Sequence, residues 1–158
     1  MKKLVIISGI SGAGKTTASN IQEDKGYRCI DQYPPELLNE LMDLIEHDES
    51  FKYQNVALTI SLSDQEKYRK LFNNADLKPV LILIDADKET VINRYKFTRR
   101  VHPLLISNVA DSLSEAIDIE KGILTPESAM ELIEELYIRG QVMWSGISIF
   151  LKICHSLL

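Results

Sequence analysis

The 158 residues contain only two cysteines, Cys29 and Cys154. Two thiols make no disulfide framework. Each lies in an apolar stretch, where a reduced, buried side chain is the expectation. Positive charge is also in short supply: 18 Lys plus Arg stand against 23 Asp plus Glu, for a net charge of −5. That balance excludes nucleic-acid binding by bulk electrostatics and leaves only a local basic patch. The three histidines, His47, His102 and His155, are far apart and make no zinc spacing with the cysteines. No Ser-His-Asp arrangement is legible. The C-terminal apolar stretch 142–151 is ten residues long, short against the roughly 20 that a membrane helix needs. The N-terminal run Leu4-Val5-Ile6-Ile7 meets Ser8-Gly9 too soon to be a signal core, so a cytoplasmic location is expected, with no stable membrane span.

What is present is a globular composition, 45% hydrophobic and 26% charged, at a length suited to one domain with a real core. Strand and helix signals alternate. Residues 4–8 form a short apolar run ending at glycine, and 15–24 read as a helix capped by Gly26. A second strand covers 27–31. Pro34-Pro35 opens a helix with Leu37, Leu41, Leu44 and Ile45 on one face. A third strand covers 56–61, and the Ser63/Glu66 capping-box spacing predicts a helix to about residue 73. The run 79–85 is apolar at every central position, which suits a strand covered on both faces. Asp87 caps a helix reaching to about residue 99, and Ser112/Glu115 repeats the capping box. Thr125-Pro126-Glu127 opens a last helix, with Leu132, Ile133 and Leu136 as its stripe and Gly140 as its end. The expected fold is α/β, a parallel sheet flanked by helices on both faces, with residues 1–140 as one domain. The apolar tail 141–158 reads most simply as a buried last strand, with a loosely packed remnant and an interfacial segment as alternatives.

Gly9-Ile10-Ser11-Gly12-Ala13-Gly14-Lys15-Thr16 fits the P-loop pattern directly after a predicted strand and at the start of a predicted helix. Glycines let backbone amides turn toward phosphate oxygens, and the helix's positive end faces the anion. Lys15 supplies a mobile charge for the β and γ phosphates, and the Thr16 hydroxyl is the expected Mg²⁺ ligand. The nucleotide-binding set is residues 9–16 together with Thr17, and the motif makes the expected α/β fold a P-loop NTPase fold, with residues 1–140 as its nucleotide-binding domain.

Three further places compete with plainer readings. Asp85 ends the most apolar strand, as a second metal-side residue beside Thr16 or as the start of a turn. Small P-loop kinases carry their metal-linked acid after the third strand, and this is the fourth. Arg94, Lys96, Arg99, Arg100 and His102 form the only dense basic run. With Lys15, the arginines Arg94, Arg99 and Arg100 are candidate catalytic residues, as a phosphate lid that neutralises transition-state charge. A solvated helix end reads equally well, and RNA contact ranks third because no aromatic platform accompanies the run. Asp31, at the end of the second strand, is either an acceptor-holding acid or a turn residue.

Residues 8–17, then Glu23-Asp24-Lys25-Gly26-Tyr27-Arg28-Cys29-Ile30-Asp31-Gln32-Tyr33-Pro34, resemble the start of the RapZ-like (YvcJ-like) nucleotide-binding family. Leu83-Ile84-Asp85-Ala86-Asp87, Arg94-Tyr95, Thr98-Arg99-Arg100, His102-Pro103-Leu104, Ser114-Glu115-Ala116-Ile117 and 120–124 continue the match to about residue 126. The resemblance implies a domain that binds ATP and GTP with slow hydrolysis. In some bacteria such proteins deliver a small regulatory RNA to a ribonuclease. The family's second domain, associated with RNA and sugar-phosphate binding, has no counterpart in the 158 residues, so RNA is not an expected partner. The family also places an Asp-x-Arg triplet after its third strand, linked to GTP or metal contact. Here Ser61-Leu62-Ser63 stands there, followed by Asp64. The expected function is binding of Mg²⁺-ATP and GTP with weak hydrolysis at most. The alternatives are a small-molecule kinase and a regulatory nucleotide-binding module without turnover.

Overall fold

The computed structural model describes residues 2–47, 53–68 and 79–124. The predicted helix from Thr125, the tail 141–158 and Cys154 lie outside the described residues. Four strands, β1 (Lys3–Gly9), β2 (Arg28–Asp31), β3 (Asn55–Thr59) and β4 (Val80–Ile84), form one sheet in the order β2-β3-β1-β4. Every pairing is parallel. Parallel strands put all their carboxyl ends on one edge, so Gly9, Asp31, Thr59 and Ile84 end together. The glycine-rich loop leaves β1 at that edge, between β3 and β4.

Alternation along the strands builds two cores. Leu4, Ile6, Val56, Leu58, Leu81 and Leu83 face one side, where Leu38, Leu41 and Ile45 of α2 (Leu38–His47) cover them. Val5, Ile7, Ala57, Ile82 and Ile84 face the other. There they meet Ala18 of α1 (Lys15–Asp24), Val91 of α3 (Lys88–Thr98) and Ile117 of α5 (Leu113–Ile123). A short helix, α4 (Pro103–Ile106), joins α3 to α5. Each fully buried Leu or Ile contributes about 1.5–3 kcal/mol. A strand buried on both faces has no polar face to show, which is why β4 reads as an unbroken apolar run.

The local signals set the helix ends. Gly26 donates to the Glu23 carbonyl and closes α1. Asp87 caps α3 by accepting from the Thr90 amide, and Ser112 caps α5 by accepting from the Glu115 amide. Three expectations are corrected. The buried face of α2 is Leu38, Leu41 and Ile45, while Leu37 and Leu44 are exposed; Pro35–Leu37 turns as a separate 3₁₀ segment, which leaves Leu37 outside the helix. The segment after β3 is a 3₁₀ helix, Leu62–Tyr68, not an α-helix, and the rest of the predicted span lies outside the described residues. His102 is no part of a solvated basic surface: it is fully buried and caps α4 through its ring.

Candidate functional site: a braced phosphate loop

The loop from Gly9 to Thr16 sits where β1 runs out. Gly9 is required by a close approach. At its φ of 137° a Cβ would lie 1.9 Å from the Ile84 carbonyl oxygen, so any side chain would push β4 away. The Ile10 amide then donates to that same carbonyl, which ties the loop's first residues to β4. At the other end, Gly14 occupies the N-cap of α1 with no side-chain cap. The first amides of a helix have no intrahelical acceptor, and among the described residues no side chain caps them. They form, with the helix dipole behind them, a ready place for an anion.

Lys15 folds back over the loop. Its Nζ donates to the Gly9 carbonyl at 2.7 Å and the Ile10 carbonyl at 3.1 Å. Burial lowers its pKa from the ordinary lysine value, and the nearby carboxylates of Glu120 and Asp31 oppose that shift. Thr16 and Thr17 are exposed at the start of α1. The fit to a nucleotide is good: an uncapped helix start, a half-buried lysine on exchangeable carbonyl contacts, and an exposed hydroxyl beside it.

The candidate arginines separate in space. Arg94 reaches into the loop, where its Nη1 donates to the carbonyls of Gly12 and Ala13, both at 2.9 Å. It therefore holds the loop's backbone in this conformation. Arg99 takes the left-handed conformation (φ 52°) that ends α3, and both Arg99 and Arg100 are exposed. Tyr95, one residue after Arg94, lies against Gly12, where an added Cβ would meet its ring at 2.8 Å. Burial raises the Tyr95 pKa, with the Glu120 charge adding to it.

The two candidate metal-side positions flank β1. Asp85 follows β4; its Oδ1 accepts from Lys121 Nζ at 3.1 Å and from the Ala86 amide at 2.8 Å. On the opposite flank, just past β3, Ser61 and Ser63 share a hydroxyl–hydroxyl hydrogen bond of 2.9 Å. A neutral serine pair offers no negative charge to the outer shell of a magnesium ion. Asp31 is exposed at the end of β2, within electrostatic reach of Lys15.

Two residues complete the site, Glu120, which the chemical motifs do not flag, and His102, which they group with the basic run. Glu120 of α5 is 2% exposed. Its Oε2 accepts from the Ser11 amide and its Oε1 from the Ser11 hydroxyl, each at 2.7 Å. His102 Nε2 lies 3.3 Å from the same carboxylate. These contacts join residues 109 and 18 positions apart. For Glu120 the residue pattern offered an acid on the apolar side of a predicted helix, three residues after Ile117.

Comparison with known proteins agrees with this geometry. The chain is 38% identical over 133 residues to a nucleotide-binding protein of Vibrio campbellii, matching 80% of this chain and 45% of that protein. It is 39% identical over 132 residues to a nucleotide-binding protein of Vibrio vulnificus, matching 78% of this chain and 44% of that one. The chain thus spans less than half the length of these relatives. Among solved structures, a gluconokinase from Sinorhizobium meliloti superposes with a TM-score of 0.54 at 16% identity, covering 91% of this chain and 82% of that one. At that identity the likeness shows the fold alone, a P-loop kinase-like fold. With a family model matching across residues 2–136, the chain belongs to the RapZ-like N-terminal domain family, a family of nucleotide-binding proteins.

Proposed function

We propose that this domain binds a nucleoside triphosphate, Mg²⁺-ATP and also GTP, with hydrolysis that is slow at most. The observation that carries this reading is the uncapped start of α1 with Lys15 folded over it onto the Gly9 and Ile10 carbonyls. A bound triphosphate would take that ammonium from two neutral carbonyls to charged oxygens, a stronger partner. Thr16 would hold the magnesium, which when bound neutralises charge between the β and γ phosphates. Asp85 is the only candidate acid beside β4, and its engagement by Lys121 and the Ala86 amide limits it to an indirect part.

Slow turnover follows from the opposite flank. Ser61 and Ser63 occupy the end of the strand beside β1. With no carboxylate at these two positions and the next acid, Asp64, paired with Lys67 at 2.7 Å, neither the metal shell nor an attacking water is held by an uncommitted charge. This observation favours a nucleotide-responsive binding module over an efficient small-molecule kinase. The lid reading also loses Arg94, which is committed to the loop carbonyls. Calorimetric titration with non-hydrolysable ATP and GTP analogues, with and without Mg²⁺, tests the proposal. Micromolar-range, magnesium-enhanced binding is expected, and a folded chain that binds neither nucleotide would overturn it.

A further inference from the structure

Glu120 and His102 are both buried, and nothing in the phosphate chemistry above uses them. An ionised carboxylate taken out of water is costly unless its oxygens are fully engaged. Here both are: Oε1 by the Ser11 hydroxyl, Oε2 by the Ser11 amide and the His102 ring. The ring's own bonds assign its tautomer. Nδ1 accepts from the Leu104 amide at 3.2 Å, so in the neutral ring Nε2 carries the proton and donates to Glu120. Tyr95 packs against the imidazole, with ring centroids 5.3 Å apart, and also against Gly12. The neighbouring turn of α5 adds two more ties, Lys121 to Asp85 and Asp118 to Lys88 of α3.

We propose that Glu120, propped by His102, is a positioning residue for the phosphate loop: its carboxylate takes the amide and hydroxyl of Ser11 and thereby fixes the curvature with which the loop's remaining amides meet a polyphosphate. The proposal rests on the nucleotide-binding reading and deepens it. A loop amide left to itself would compete for phosphate oxygens or for neighbouring carbonyls, and the loop would sample several shapes. Binding would then carry the cost of selecting one of them. Glu120 spends an internal acceptor on Ser11 and so selects that shape in advance. Because the acceptor belongs to α5, the loop is also coupled to α3, α4 and α5, which all contact the same network.

The test titrates the full 158-residue chain with ATP and, separately, with inorganic tripolyphosphate, following thermal unfolding in parallel. Glu120→Ala is expected to weaken both ligands by the same factor, roughly tenfold or more, because the effect lies in the phosphate nest and not in the base site. Glu120→Gln keeps an oxygen for the Ser11 amide and should stay within about threefold of the parent, a rescue by shape without charge. Adding Ser11→Ala to Glu120→Ala should cost less than the two single losses together, since the hydroxyl's carboxylate partner is already gone. A folded Glu120→Ala chain with the parent's affinity overturns the proposal, as does a Glu120→Gln chain that is impaired equally. Should Glu120→Ala fail to fold, Ser11→Ala and Glu120→Gln, alone and combined, decide it: coupled losses support positioning and additive ones refute it. A folded parent chain that binds neither ligand would instead remove the nucleotide-binding reading itself, and this proposal with it.

Discussion

The two flanks of the P-loop strand are built differently. On the β4 side the loop is braced by the Ile84 carbonyl, by Arg94 on the Gly12 and Ala13 carbonyls, and by Glu120 on Ser11. On the β3 side stand the Ser61–Ser63 hydroxyl pair and, past β2, the exposed Asp31. One flank supplies fixed geometry; on the other, Ser61 and Ser63 are neutral and the next acid, Asp64, is paired with Lys67. Efficient phosphoryl transfer needs both, a preorganised cradle and a held metal or water. Holding a nucleotide needs only the first. The contrast therefore separates binding from turnover within one site.

The largest expected effect tests the braced flank at its root. Gly9→Ala should destabilise the fold by roughly 3 kcal/mol or more, because the new Cβ meets backbone and not a flexible side chain. The unfolding midpoint reads this directly, and an unchanged midpoint would show that β4 is not held against the loop as described.

Lys15→Ala comes next. It should weaken ATP by about 100-fold, the loss of a charge-assisted contact near the top of the usual range. The same variant carries a pH signature. Burial lowers the folded-state pKa of Lys15 below 10.5. Between that lowered value and 10.5 the unfolded chain therefore binds more protons than the native one, and this residue's contribution to stability rises with pH. Denaturant titrations across the alkaline range should show that rise in the parent and its loss in Lys15→Ala. An identical pH dependence in both chains would remove Lys15 from the buried position.

Arg94→Ala distinguishes a brace from a lid. A brace predicts an affinity loss of roughly tenfold, from two hydrogen bonds made by a charged group. Any residual hydrolysis at saturating ATP should change little. The reverse pattern, unchanged Kd with a depressed rate, would return Arg94 to the catalytic set with Arg99 and Arg100.

The smallest effect probes the other flank. Ser61→Asp places a carboxylate at the end of β3 and should tighten ATP binding a few-fold, about 1 kcal/mol or less, in the presence of Mg²⁺ only. Tightening without magnesium, or none with it, would mean that this position does not face the metal shell and that the contrast between the flanks is not electrostatic.

Much of this was legible in the sequence because it is local. The P-loop pattern, the Asp87 and Ser112 caps and the doubly apolar β4 are properties of a few adjacent residues, and all four appear in place. The start of α2 was misread because periodicity cannot tell where Pro34-Pro35 yields to a regular helix. The 3₁₀ turn at Pro35–Leu37 takes Leu37 out of the buried set and puts Leu38 in its place, while Leu41 and Ile45 are buried as expected. The basic run was misread for a different reason. Spacing groups Arg94 with His102, yet one enters the loop and the other is buried against Glu120.

By itself, then, the sequence determined the alternation of elements, the place of the phosphate loop and the missing carboxylate at Ser61 and Ser63, since each depends on neighbours within a turn or a strand. Only the tertiary structure decided what holds the loop. The strand order β2-β3-β1-β4 sets β4 beside β1, and the return of α3 and α5 across the same sheet face brings Arg94 and Glu120 to loop residues 81 to 109 positions earlier, with His102 beside Glu120. Such contacts carry no periodicity or spacing signal. They exist because a buried charge must find its partners wherever the fold has placed them.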